Sequence, residues 1–380
     1  MRNKKIVFFS TSELFGNRKT GGLKRFLELY KYYKCKSSVD TLLYTGDPQK
    51  VLSKEIKENF ISLDRRTNKH YLVPNEILIF ISNFKEILKL KNSEYDELIV
   101  FDVPTAISLS LLNLKNINLF IRQDLIGYKK IYLSDKKTSN LSKKIYINLL
   151  KFAETICIIK SKKIFVQCEY DLNELIKRHK YLKKMIKNKT IVQINNINPS
   201  WVTTSGYSTS YRKNESIKKI GFIGDFSNER KGHKLFLESM SKIKNKKIEV
   251  TVIGDGIKLD LYKEKFADER ITFTGRVENV SKYLNQFDLL VVPSIADSCP
   301  NTVLEALYNN VLVIGSNAGG IPEILNYKEA IFNLDEKSLV HKINELEKNE
   351  NIETLSKLQM IRKKDLLFNW PEKINDFIEE

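Results

Sequence analysis

Short apolar runs alternate with stretches of helical spacing along this chain. KIVFF (5–9), TLLYT (41–45), ELIVF (97–101), NLFI (118–121), KIFVQ (163–167) and TIVQI (190–194) have the length and β-branched or aromatic content of buried parallel strands. Between them, LKRFLELYKYY (23–33), NEILIFISNFKEILKL (75–90) and SKKIYINLLKFAETICII (142–159) carry the 3.6-residue period of helices. The rhythm stops in NPSWVTTSGYSTSYRKNES (198–216), which is rich in Ser, Thr and Tyr and lacks periodicity. It restarts with KIGFIG (219–224), IEVTVIG (248–254), ITFTG (271–275), LLVVP (289–293) and VLVIG (311–315), with helices such as HKLFLESMSKI (233–243) in the gaps. The pattern predicts an α/β protein of two Rossmann-like, doubly wound domains. The expected divisions are a first domain over 1–197, a linker over 198–216, a second domain over 217–360, and a final helix over 361–380 packing back toward the first domain. Ligands of such sheets bind at the carboxyl ends of strands, so the expected site is the cleft where two such domains face each other.

Composition narrows this picture. No run of about 18 apolar residues is present, which predicts no membrane span. The opening MRNKKIVFFS reads as a buried first strand and not as a signal peptide. Cys35, Cys157, Cys168 and Cys299 form no CxxC pair, which argues against a disulfide framework or zinc cluster and fits a reducing cytoplasm. The net charge of +18 is lopsided: residues 1–200 carry +19 and residues 201–380 carry −1. A basic half suits a polyanion, either nucleic acid, anionic lipid or a phosphate-rich substrate; lysine-rich composition alone would explain the excess but not the neutral second half.

Three stretches carry candidate chemistry. In GFIGDFSNERKGH (221–233), Arg230 and Lys231 stand at a strand-to-helix turn beside Gly232, suited to a phosphate or equally to solvated charges at a helix start. VIGDGIKL (252–259) has Leu259 where a dinucleotide fingerprint needs its third glycine, so it reads as a tight turn and no nicotinamide cofactor is expected. DSCPNTVLEALYNNVLVIGSNAGGIPEIL (297–325) places Asp297 before a helix expected to start near Pro300. The amides of Asn301, Thr302 and Val303 would then point out of the helix N-terminus toward an anion. Glu305, about one turn in, is placed to accept hydrogen bonds from a vicinal diol, and Asp297 from hydroxyls at the ligand's other end. A capping Asp297 and a dipole-compensating Glu305 would have the same spacing.

Taken in order, KIVFFS…GGLKRFLELY, NNINPSW, GFIGD…RKG, VTVIGDG, ITFTGRV, FDLLVVPS and DSCPNTVLEAL…GSNAGGIPEI resemble glycosyltransferase family 4, retaining nucleotide-sugar-dependent enzymes of the GT-B fold. The resemblance spans nearly the whole chain and implies roles by position. Asp297 and Glu305 match the family's paired acids, which contact the donor sugar and the nucleotide ribose. Lys231 matches the phosphate-binding lysine. Ser298, Asn301, Thr302 and Val303 fall in the stretch that holds the diphosphate. Gly275, Arg276 and Val277 match the loop bordering the base, and Gly21 and Gly22 the first-domain loop that approaches the donor. Asp297 departs from the usual Glu by one methylene. Asp225 stands where many members have an Arg, leaving Arg230 or Lys231 alone to serve. Arg122 stands where many have a His; it and Asp124 are candidates for meeting a phosphate or an acceptor hydroxyl, or for a strand-end salt bridge.

The resemblance implies transfer of a sugar from a nucleoside diphosphate donor, uridine first and guanosine next, to a saccharide or lipid-linked saccharide hydroxyl in bacterial surface-polysaccharide assembly. No D-x-D triplet occurs, so no metal or cofactor is expected. Two other readings are a non-catalytic GT-B subunit stabilising a partner transferase and a nucleotide-sugar epimerase. The expected location is cytoplasmic and peripheral on the membrane. Lysines interleave with apolar residues in KKIYINLLKF (143–152) and HKYLKKMIKNK (179–189), so residues 1–200 are expected to bind anionic lipid; the resemblance gives nucleic acid no role.

Overall fold

The computed structural model describes residues 2–15, 21–46, 60–64, 75–101, 103–134, 139–199, 216–227 and 229–380, with the backbone alone at 75–77. Most of the expected linker, 198–216, lies outside the described residues. The chain forms two units, Met1–Gln193 with Trp370–Glu380, and Ile194–Asn369.

Among the described residues, the first unit is built on seven parallel strands: β1 (Lys4–Phe9), β2 (Val39–Gly46), β3 (Ile61–Leu63), β4 (Glu97–Phe101), β5 (Ile117–Ile121), β6 (Ser161–Val166) and β7 (Thr190–Val192), in the order β3-β2-β1-β4-β5-β6-β7. Alternate residues of a strand face opposite sides. Val7, Phe9, Leu98, Val100, Leu119, Ile121, Ile164 and Val166 therefore share one buried core. The other face bears an aromatic ladder. Phe120 stacks on Phe101 and on Phe165 with ring centres 4.4 Å apart in each case. Trp370 comes within 6.3 Å of Phe120, and the buried Arg25 guanidinium lies 5.5 Å over the Trp370 ring.

The second unit has six parallel strands: β8 (Lys219–Ile223), β9 (Glu249–Ile253), β10 (Ile271–Gly275), β11 (Leu289–Val292), β12 (Leu312–Ser316) and β13 (Ile331–Phe332), in the order β10-β9-β8-β11-β12-β13. Each sheet reverses its winding once, between β1 and β4 and between β8 and β11. These switch points open a crevice at the strands' carboxyl ends.

Three sequence expectations need correction. The helix expected over 75–90 is two, Asn75–Ser82 and Phe84–Lys91. Buried Asn83 interrupts it by turning its side-chain amide to the carbonyls of Ile79 and Asp64 and accepting from the Asp64 amide. The final helix over 361–380 is also divided. Asn349–Asp365 stays with the second unit, and Trp370–Glu379 begins anew in the first. Pro371 disfavours helical backbone in the residue before it and supplies no amide, which suits it only to a helix start. The boundary near 197 falls earlier because Ile197 is buried in the second core and its amide donates to Leu366 O.

Candidate active site

The chemistry of the second unit gathers where β8 and β11 part. After β8 the chain makes a short turn, Glu229–Lys231, and enters the helix His233–Lys242 through Gly232 at φ +75°. A Cβ on Gly232 would lie 1.9 Å from the Pro293 carbonyl oxygen. Only glycine tolerates both the left-handed backbone and that approach. The result is that the Arg230–Gly232 segment lies directly on the loop that leaves β11. The Ile295 amide donates to Arg230 O at 2.8 Å, and the Arg230 guanidinium donates to Ala296 O at 3.1 Å. Glu229 anchors the other side, accepting from Tyr262 Oη at 2.8 Å and pairing with Lys258 at 2.9 Å.

This clamp brings Lys231, Arg230 and Asp297 together. Lys231 Nζ is 2.5 Å from Asp297 Oδ2, and an Arg230 nitrogen is 3.2 Å from the same oxygen. Burial pushes the Asp297 carboxyl up, but Lys231 and then Arg230 outweigh it and hold the group below the ordinary carboxylate range. Two cations and one carboxylate leave the cluster with a formal charge of one positive. Asp297 is itself held from behind. Its carbonyl accepts from the Gly320 amide at 2.9 Å, and Gly319, at φ +58°, would place a Cβ 2.3 Å from the same oxygen.

A depressed carboxylate pKa stabilises the fold above its unfolded value and loses that contribution as pH falls through its folded value. The window for Asp297 therefore lies below the ordinary value of 3.8. Thermal melts taken from pH 5 to 2 should show the wild type losing stability more steeply than Asp297→Asn. Parallel acid limbs would mean that the ion pair contributes nothing.

The helix Asn301–Tyr308 follows directly, with Pro300 as its cap and not its first residue. The Val303 amide donates to Pro300 O at 3.1 Å, and the Val303 side chain is fully buried. Val303 is thus removed from the expected anion donors, because the tightened first turn uses its N–H internally. The outward amides of this turn are those of Asn301 and Thr302. Glu305 is half-buried on the same helix, and Ser298 is buried in the loop before it.

The remaining candidates have definite places. Gly275 ends β10 at φ +71° with open space where a Cβ would be; Arg276 beside it is exposed, and Val277 packs on the core. Asp225 is exposed after β8 and accepts from the Ser227 amide at 2.8 Å, so its carboxylate shapes that turn. In the first unit, Gly21 and Gly22 open the helix Gly21–Lys34. Arg122, just past β5, lies 5.6 Å over the Phe101 ring, and Asp124 is paired with Arg178 at 2.7 Å. For Asp124 the strand-end salt bridge is the arrangement found. Three groups escape sequence reasoning: Gly319, Gly320 and Glu229. The Gly-Gly doublet one turn past β12 is the signal for the first two; Glu229 gives none, because its partners are 29 and 33 residues away.

Residues 217–349 match the family model described as Glycosyl transferases group 1. Among curated proteins, the chain is 31% identical over 182 residues to Protein CapJ of Staphylococcus aureus, covering 42% of this chain and 46% of that protein. It is 26% identical over 280 residues to the capsular polysaccharide biosynthesis glycosyltransferase CapH of the same organism, covering 70% and 71%. The match thus spans about half the length of the former relative. Among solved structures, sucrose-phosphate synthase from Thermosynechococcus elongatus superposes with a TM-score of 0.76 at 14% identity, covering 99% of this chain and 98% of that one. Anabaena HepE in complex with UDP and glucose gives 0.71 at 12%, covering 99% and 100%. The match to that family model falls within the second unit, and the chain has the α/β GT-B fold.

Proposed function

We propose that this protein is a retaining glycosyltransferase. It moves a sugar from a nucleoside diphosphate, UDP before GDP, to a hydroxyl of a saccharide or lipid-linked saccharide in the assembly of a bacterial surface polysaccharide. The observation that carries the reading is the Lys231–Asp297–Arg230 cluster at the β8/β11 switch point, next to a helix N-terminus. The names of the relatives support the setting, and the UDP and glucose bound by HepE support the donor.

In this reading the negative charge that grows on the departing diphosphate meets Lys231, Arg230 and the amides of Asn301 and Thr302, all held in place before the reaction begins. Glu305 accepts from the ribose hydroxyls. Asp297 orients the two cations and faces the donor sugar as it becomes oxocarbenium-like. The acceptor attacks from the face the diphosphate leaves, and a phosphate oxygen takes its proton. Ser298 lines the diphosphate stretch, and Gly275, Arg276 and Val277 border the base.

Incubation with a panel of UDP- and GDP-sugars, with and without saccharide acceptors, tests this. Nucleotide release coupled to a glycoside of retained configuration is expected. Release of a free epimer, or binding without turnover on any acceptor, would replace the reading with an epimerase or a non-catalytic subunit. Turnover should also survive EDTA, since the chain has no D-x-D triplet and its cations and amides suffice for the phosphates. Loss in EDTA with recovery in Mg²⁺ or Mn²⁺ would show that a metal shares that work.

A further inference from the structure

The helix Asn140–Lys160 is apolar on both sides. Its inner side, with Ile147, Leu150, Cys157 and Ile158, is buried. Its outer side exposes Leu141 (68%), Ile145 (53%), Leu149 (50%), Phe152 (66%) and Ile159 (45%). At 100° per residue these five positions fall within an arc of about 80°, in a stripe roughly 27 Å long. An isolated exposed leucine is ordinary, but a continuous stripe on one helix marks a surface that something covers.

The charge around the stripe identifies the occupant. The helix carries four lysines and one acid. That acid, Glu154, is buried and committed to Arg178 and His179. Every charge the helix exposes is therefore positive. Lys144 and Lys151 flank one border of the stripe. On the same border Thr155 bonds Tyr181 Oη at 2.9 Å, bringing up a 72%-exposed tyrosine and the exposed Lys180, Lys183 and Lys184 around it. A second copy of this chain would set lysine against lysine. The expected segment 179–189 contributes differently from its pattern: Ile186 is buried and Leu182 and Met185 pack on the core, so it supplies charge and one aromatic ring but no stripe.

We propose that this outer face docks on an anionic bilayer, with Leu141, Ile145, Leu149, Phe152 and Ile159 entering the headgroup–acyl boundary and the bordering lysines meeting lipid phosphates. The helix lies in the interface and does not cross it; among the described residues no helix is long and apolar enough to span a membrane. Sedimentation of the full-length protein with vesicles tests this, and it needs no knowledge of donor or acceptor. At low salt the protein should partition at least tenfold more onto phosphatidylglycerol-containing vesicles than onto phosphatidylcholine alone, and the difference should shrink as ionic strength rises. Leu149→Asp/Phe152→Asp should reduce that partition at least tenfold; both positions are exposed, so melting temperature and nucleotide affinity should not change. Lys144→Glu/Lys151→Glu should abolish the preference for the anionic lipid. Three results overturn the proposal: protein remaining in the supernatant at low salt, pelleting undiminished in the Leu149/Phe152 variant, or a dimer in sedimentation equilibrium that this variant disperses while vesicles bind neither protein. Nucleotide affinity measured on the same samples separates failure here from failure of the donor site.

Discussion

Lys231→Ala is expected to lower turnover about ten- to a hundredfold with the second unit still folded, the range set by one charge-assisted contact of roughly 1.5–3 kcal/mol. The Lys231 side chain is 18% exposed and its ammonium ends on Asp297, so it is positioned before any ligand arrives. Its removal has a second consequence. Asp297 keeps only Arg230, and the balance that holds its carboxyl low shifts back toward burial. The loss should therefore be smaller in a protein that already carries Asp297→Asn, since neighbours in one ionic cluster do not act additively. Glu305→Ala, remote from that cluster in role, should cost at least about tenfold by the same estimate and add independently. Steady-state kinetics with melting curves on all four variants decides the matter. Near-normal turnover in folded Lys231→Ala and Glu305→Ala would remove both from the site.

Gly232→Ala should damage the protein without removing any charge. A side chain there meets the Pro293 carbonyl at 1.9 Å while the backbone stays at φ +75°. Left-handed strain alone costs about 1–3 kcal/mol, and a backbone clash that cannot be relieved by a rotamer adds to it. If the fold yields, the melting temperature should fall by roughly 4–10 °C. If the loop yields instead, Arg230 and Lys231 move off the β11 loop and nucleotide affinity drops by about tenfold or more. Calorimetry and nucleotide titration read the two outcomes separately. A protein unchanged in both would show that the close approach is dispensable.

Much of the fold is legible in the residues. Every run expected as a strand appears as one, with ends displaced by about two residues or fewer. Fully buried parallel strands need continuous apolar runs, and such runs are hard to mistake when helices separate them. β3 and β13 have three and two residues and too little pattern to read. The break at Asn83 is equally hidden, since the helical period passes through it and its cause is a bond to Asp64, 19 residues away.

The candidate site divides in the same way. Local sequence placed Lys231 at a strand-to-helix turn, Asp297 in a loop, and Asn301, Thr302 and Glu305 in the first turns of a helix, because strand ends, prolines and helix caps are local events. That Lys231 and Asp297, 66 residues apart, form one ion pair with Arg230 is a product of sheet order. β8 lies beside β11, and Gly232 and Gly319 let three backbone segments meet there. The pattern of the chain also leaves open which side of an amphipathic segment is covered. Residues 143–152 and 179–189 look alike in composition, yet packing exposes the apolar stripe of the first and buries most of the second's. Periodicity tells which residues share a face; only the neighbours supplied by the tertiary fold decide which face meets water, lipid or the core.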